Sequence, residues 1–110
     1  MLGGDYALTV AKSGAQALAR AASDAPPDLI VLDVVMPELD GLEVCRRLKD
    51  DARTRAIPVI LATHLASEAD EERGFAAGAA DYVTKPYRPV VLKARIATHV
   101  RLARAEKARE

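Results

Sequence analysis

Asp28-Leu29-Ile30-Val31-Leu32-Asp33-Val34-Val35-Met36-Pro37-Glu38-Leu39-Asp40-Gly41 is the stretch that decides the fold. The aliphatic run Leu29–Leu32 leads straight into an aspartate, and Pro37 and Gly41 mark a turn behind it. The run has no period-2 alternation, so it reads as a strand covered on both faces, the pattern of a parallel sheet. Asp33 then stands at the carboxyl end of that strand, where open α/β sheets place ligands and chemistry. An aspartate there also serves simply to start a turn or cap a helix, and this stretch alone leaves both readings open.

Downstream, Asp40 and Glu43 form a helix start of the S/T/D-x-x-E type. That helix runs to about Asp50, with Leu42, Cys45 and Leu48 on one face and Arg46, Arg47 and Lys49 outside. Ile57-Pro58-Val59-Ile60-Leu61-Ala62 is another wholly apolar strand, with Thr63 and His64 at its carboxyl end. Pro58 is tolerable near its start because a first residue need not donate to the ladder. Ser67 caps an acidic first turn of Glu68, Asp70, Glu71 and Glu72, which complements the helix dipole. This helix offers Ala69, Phe75, Ala76 and Ala77 as apolar contacts and is weakened by Gly74, so it is expected to be the least firmly docked element. Gly78 suits its C′ position. Asp81–Thr84 is a short strand closed by Lys85-Pro86, and Pro89 opens a last helix able to run to the end of the chain. About 22 helical residues would span about 33 Å, more than a small sheet needs. Upstream, Tyr6–Val10 has the mixed composition of an edge or second strand. Ser13 and Gln16 form a capping box for an alanine-rich helix Ala15–Ala22, which Ala25-Pro26-Pro27 ends. The order β-α-β-α-β-α-β-α implies a parallel sheet with helices on both faces.

The 110 residues fit one small domain, and with three Tyr, one Phe and no Trp its core must be aliphatic and alanine-rich. Net charge is zero, which gives no global reason to expect a nucleic-acid partner. Charge is uneven, however: from Lys85 onward eight Lys and Arg face Glu106 and Glu110, and before it eight basic residues face fourteen acidic ones. The basic last helix carries Leu92, Ile96, Val100 and Ala103 as an apolar docking stripe, with its Arg and Lys expected in solvent. The single cysteine, Cys45, fits a reducing compartment. No apolar run approaches the roughly 20 residues of a membrane helix, and the expected setting is cytoplasmic.

Asp33, Thr63 and Lys85 fall at the carboxyl ends of three successive strands, ends that a parallel sheet brings to one edge. A carboxylate accepts phosphoryl groups in aspartyl-phosphate enzymes, a lysine neutralises charge on the transferred group, and a hydroxyl donates to one of its oxygens. Each residue alone has a bland explanation as a cap or a turn; the triple at matching strand ends is far more specific.

With these residues placed, the sequence resembles the receiver domain of two-component response regulators. The resemblance is carried by Leu29–Asp33 with Met36-Pro37 and Asp40-Gly41, by Val59–Thr63, and by Gly78–Pro86. It implies an α/β, flavodoxin-like, doubly wound parallel sheet, and a phosphorelay module rather than a turnover enzyme. Asp33 is expected to be the phosphoacceptor, Thr63 and Lys85 to contact the phosphoryl group, and the Val35 backbone carbonyl to join Asp33 as a Mg²⁺ ligand. Tyr82 is the expected aromatic switch, its ring turning inward as Thr63 moves toward the phosphate, and Lys85-Pro86 an expected cis peptide. The implied partner is a histidine kinase or phosphotransfer protein, with a separate output domain. Residues 5–104 are the expected receiver-like domain and 105–110 the start of a helical linker or tail.

The sequence departs from the family at its start. Gly3-Gly4-Asp5-Tyr6 resembles the turn into the family's second strand, so its first strand, first helix and acidic pair have no counterpart here. The sheet is therefore expected to be incomplete, with four strands of the usual five. Magnesium binding is expected to be weak or absent, and phosphorylation slow. Either Tyr6–Val10 slides beside Leu29–Asp33 or another chain fills the gap between them. Sliding would leave the face beside the last helix one helix short and favour self-association. His64, where the family has a small residue, either narrows access to Asp33 or faces solvent. Two readings compete with the phosphoacceptor. One is a docking or dimerisation module independent of phosphorylation; the other is a haloacid-dehalogenase-type phosphatase, which needs a second acid where Val35 stands.

Overall fold

The computed structural model describes residues 6–108 as β1 (Leu8–Val10), α1 (Gly14–Ala21), β2 (Leu29–Leu32), α2 (Gly41–Asp50), β3 (Val59–Thr63), α3 (Glu68–Ala76), β4 (Asp81–Thr84) and α4 (Pro89–Ala108). All strands pair in parallel, in the order β1-β2-β3-β4. The expected α/β class and the alternation of elements hold. Of the two arrangements left open for the amino-terminal strand, the chain adopts the one in which β1 lies directly beside β2. β1 is shorter than Tyr6–Val10, but the ladder is anticipated at Ala7, whose carbonyl accepts from the Asp28 amide at 2.7 Å while its own amide donates to Asp28 Oδ2 at 2.7 Å. Asp5 and Gly3-Gly4 lie outside the described residues. No helix among the described residues is long and apolar enough to cross a membrane.

β2 and β3 are buried along their whole length, as unalternating apolar runs require. β3 begins at Val59 rather than Ile57; Pro58 has no N–H to give, but its carbonyl takes the Ile30 amide at 3.1 Å. On one face, Ile30, Leu32, Val59 and Leu61 meet Ala17 of α1 and Val44, Cys45 and Leu48 of α2. On the other, Leu29, Val31, Ile60, Ala62 and Val83 meet Ile96 and Val100 of α4, with Tyr6, Tyr87 and Leu92 at the margins.

The second face is less bare than expected. Because α4 packs against β2, both strands at the centre are sealed by one helix. What remains open is confined to β1: Leu8 is 42% and Val10 60% exposed. They stand opposite Leu29 and Val31 in the ladder and so share that face, but at the far edge.

The helix starts follow the sequence with small differences. Ser13 Oγ accepts from the Gln16 amide at 3.1 Å, but the Gln16 side chain accepts from Lys12 N at 2.8 Å instead of returning to Ser13. Asp40 Oδ1 accepts from the Glu43 amide, while the Glu43 carboxylate turns outward to Arg46 and Arg47. Ser67 and Asp70 complete a full capping box. Gly78 takes φ +101° just beyond the end of α3. Two expectations about side chains are corrected. Of the apolar contacts expected of α3, Ala77 at its C-cap is buried, but Ala69, Phe75 and Ala76 are exposed, and Gly74 is the residue buried within the helix itself. Arg95 of α4 is not merely solvated: with His99 it holds the buried Asp81 at 2.9–3.1 Å, and Asp81 also accepts from the Tyr82 amide.

Gly41 fixes how α2 meets β2. Its amide donates to the Val34 carbonyl at 2.8 Å, and a Cβ there would stand 2.2 Å from the Asp33 carbonyl oxygen. The obstacle is backbone, which cannot turn aside. Gly41→Ala is therefore predicted to destabilise the fold by about 1–3 kcal/mol or more, read as a lower urea midpoint at unchanged slope. An unaltered midpoint would refute the close approach.

Candidate functional site

Parallel pairing sets the geometry at the carboxyl edge of the sheet. Leu32 is level with Leu61, and Thr63 with Thr84. Asp33 therefore leaves β2 beside the end of β3, and Lys85 leaves β4 one residue beyond Thr63. The Lys85 amide donates to the Thr63 carbonyl at 2.8 Å, extending the ladder to the site. The Lys85–Pro86 peptide is cis.

Lys85 Nζ donates to Asp33 Oδ2 at 3.0 Å. The other carboxylate oxygen, Oδ1, accepts from the Val35 amide at 3.0 Å. This is an Asx-type turn, so the bland reading of Asp33 and the chemical one are both realised by the same side chain. Partial burial pushes the Asp33 carboxyl up; hydrogen bonds from Thr63, the Val35 amide and Lys85, with the Lys85 charge, outweigh it and hold the pKa below the ordinary carboxylate value. Asp33 is thus an ionised, partly exposed carboxylate at neutral pH.

Thr63 is fully buried. Its hydroxyl accepts from the Leu65 amide at 3.5 Å and lies near enough to Asp33 to help lower that carboxyl's pKa. The Leu65 carbonyl in turn accepts from the Tyr82 hydroxyl at 2.7 Å. Tyr82 is 7% exposed, its ring turned inward, and burial raises its phenol pKa. His64 is exposed, the second of the two placements open to it. Asp33, Thr63 and Lys85 are therefore brought together, with Tyr82 one peptide away.

Sequence reasoning missed the Leu65 peptide that joins Thr63 to Tyr82 and the amide of Val35, because backbone groups carry no residue-type signal. The Asp81–Arg95–His99 cluster had a signal, an aspartate opening a strand opposite i, i+4 bases on the next helix, but its pairing needed the tertiary fold.

The resemblance calls for Mg²⁺ held by Asp33 and the Val35 carbonyl. Both Asp33 oxygens already have donors, and among the described residues no group of three or more His, Cys, Asp and Glu side chains could hold a metal ion. One carboxylate and one carbonyl are a thin donor set for an ion that demands near-octahedral oxygen coordination. The residues described do not by themselves make a resident magnesium site.

Comparisons with known proteins agree with this geometry. A family model described as the response regulator receiver domain matches residues 3–97. The response regulator PleD of Caulobacter vibrioides is 50% identical over 91 residues, covering 83% of this chain and 20% of that protein. The structure of the Francisella response regulator 1452 receiver domain superposes with a TM-score of 0.75 at 32% identity, covering 84% of this chain and 74% of that one. The BeF3-activated N-terminal receiver domain of RstA from Klebsiella pneumoniae gives 0.73 at 34% identity, covering 84% and 76%. The chain spans from about a fifth to a little over a third of the length of the curated relatives it matches.

The depressed Asp33 pKa ties the stability of the fold to pH. Its contribution to stability is present above the ordinary aspartate pKa and is lost as pH falls through the lowered folded value. Lys85→Met is predicted to raise the Asp33 titration midpoint, followed by carbon NMR of the side-chain carboxyl. It should also shift the loss of that contribution to higher pH. An Asp33 midpoint that does not move would show the ion pair to be incidental.

Proposed function

The chain belongs to the response regulator receiver domain family, and from that premise we propose that it accepts a phosphoryl group on Asp33 and relays the event to a partner-binding surface. The observation that carries this reading is the convergence of Asp33, Thr63 and Lys85, with Lys85 Nζ 3.0 Å from the carboxylate. A carboxylate oxygen of Asp33 forms a bond to phosphorus while the bond from phosphorus to the donor atom breaks, its electron pair leaving with the donor. Lys85 exchanges one negative partner for another, from the carboxylate to the phosphoryl oxygens. Thr63 donates a hydrogen bond from its hydroxyl to a phosphoryl oxygen. The acyl phosphate, at about −1.5 to −2, replaces a carboxylate already at −1, so the net gain of about −0.5 to −1, together with the new acceptor oxygens, is the signal. The alternative of a docking module independent of phosphorylation finds no better support, and Val35 in place of a second acid argues against a phosphatase.

The donor we assign is a phosphohistidine on a histidine kinase or phosphotransfer protein, in the cytoplasm. α4 continues unbroken to Ala108, which supports residues 105–110 as the start of a helical connection to an output domain. We also propose self-association, favoured by the exposed Leu8 and Val10. Among the described residues no strand covers the outer edge of β1, and Tyr6–Ala11 carries no charge to oppose a second copy.

Incubation with excess acetyl phosphate should add one phosphoryl group to the intact chain by mass spectrometry, slowly, and none to Asp33→Asn. Absence of label on the wild-type chain, or equal label on the variant, would end this reading. For self-association, sedimentation at rising concentration should show a species heavier than the monomer, abolished by Val10→Lys. A monomer at every concentration would remove the proposal.

A further inference from the structure

α3 rests on the domain in an unusual way. Helices normally dock through branched or aromatic side chains, yet α3 buries a glycine, and its large apolar side chain, Phe75, is 49% exposed. A Cβ at Gly74 would stand 2.6 Å from Tyr82 Cδ2, 2.9 Å from Tyr82 Cε2 and 3.1 Å from Leu61 Cδ1. The helix backbone therefore lies directly on the edge of the Tyr82 ring. The same ring is anchored at its far end by the hydroxyl bond to the Leu65 carbonyl.

We propose that Gly74 is a positioning residue: it forms the seat for the Tyr82 ring, so that the position of that ring sets where α3 docks. The inference rests on the relay reading above and deepens it. The connections run from Asp33 through Lys85 to Thr63, through the Leu65 peptide to Tyr82, and from the Tyr82 ring to the α3 backbone at Gly74. Ring and helix are coupled by contact. When the ring sits inward, α3 has its support; when the ring leaves, the helix keeps Ala77 at its C-cap but loses the burial of Gly74, the residue buried within its own span. The surface that moves with it presents Glu68, Glu71 and Glu72 around the exposed Phe75. A methyl group at position 74 forces a choice between the ring and the helix, because the space cannot hold both.

The test uses the full chain with 3-fluorotyrosine incorporated, the Tyr82 fluorine resonance being identified with Tyr82→Phe. In the folded Gly74→Ala chain the Tyr82 resonance should move toward its denatured position and become accessible to a soluble relaxation agent, while those of Tyr6 and Tyr87 stay in place. An unmoved Tyr82 resonance overturns the proposal. A second measurement guards against poor folding of that variant. The loss of urea midpoint caused by Gly74→Ala should be several-fold smaller in a Tyr82→Ala background than in the wild type, and an equal loss in both overturns the proposal. Neither readout needs phosphorylation. Acetyl phosphate is then added. Labelling of Asp33 should shift the Tyr82 resonance in the wild type and leave it in place in Gly74→Ala; equal shifts in both would remove Gly74 from the relay. If Asp33 takes no label, the phosphoacceptor reading fails while the seat is judged on the first two measurements.

Discussion

A carboxylate and an ammonium 52 positions apart in the chain meet at 3.0 Å, and parallel register is what makes the meeting possible. Asp33, Thr63 and Lys85 are not neighbours in sequence and share no loop. They share an edge because β2, β3 and β4 run the same way and end at nearly the same level. A slip of one residue between two of these strands would turn every buried side chain of one of them to the opposite face. Since Leu29–Leu32 and Val59–Ala62 are apolar on both faces, alternation cannot forbid that slip. The polar strand ends contribute to the register instead. Lys85 N on Thr63 O and Lys85 Nζ on Asp33 lock the edge, so the site is also part of what aligns the sheet.

The legibility of the fold follows from this. Two wholly apolar runs of strand length, separated by capped amphipathic segments, admit few architectures, and the strand-end polar residues mark the functional edge. What could not be read was backbone shape and reciprocal contact. The turn after Asp33 announces itself by Pro37 and Gly41, yet the residue with left-handed φ is Glu38, at +66°. Gly41 serves instead to let α2 touch the Asp33 carbonyl. Gly74 reads as a weak point in a helix, which is right about propensity and silent about the ring it accommodates. Arg95 reads as solvated because the partner it finds, Asp81, lies fourteen residues away on a strand. In each case the missing information is the position of a second element, which no local pattern carries.

The arrangement of β1 shows how a small sheet closes over a bare face. Pairing β1 with β2 satisfies the backbone groups along β2, and unpaired buried amides and carbonyls are costly enough to decide the topology. Side-chain coverage follows less completely. α4 seals Leu29, Val31, Ile60 and Ala62, the positions where burial is worth most, and leaves Leu8 and Val10 at the rim. The two demands, backbone satisfaction and apolar burial, are met in that order.

The helices on the opposite face differ in how firmly they are held, and the difference gives the response a direction. α2 buries Val44, Cys45 and Leu48 almost completely, and each large apolar side chain so placed is worth about 1.5–3 kcal/mol. Its carboxyl end is further tied to the following loop, where Thr54 Oγ1 donates to the Leu48 carbonyl and Lys49 Nζ to the carbonyls of Arg55 and Ile57. α3 has a strong amino-terminal cap but buries only backbone at Gly74. In the proposed relay, a perturbation at the Asp33 edge would reach α2 through Gly41 and α3 through Tyr82. The one with little apolar surface to lose would be the one to yield.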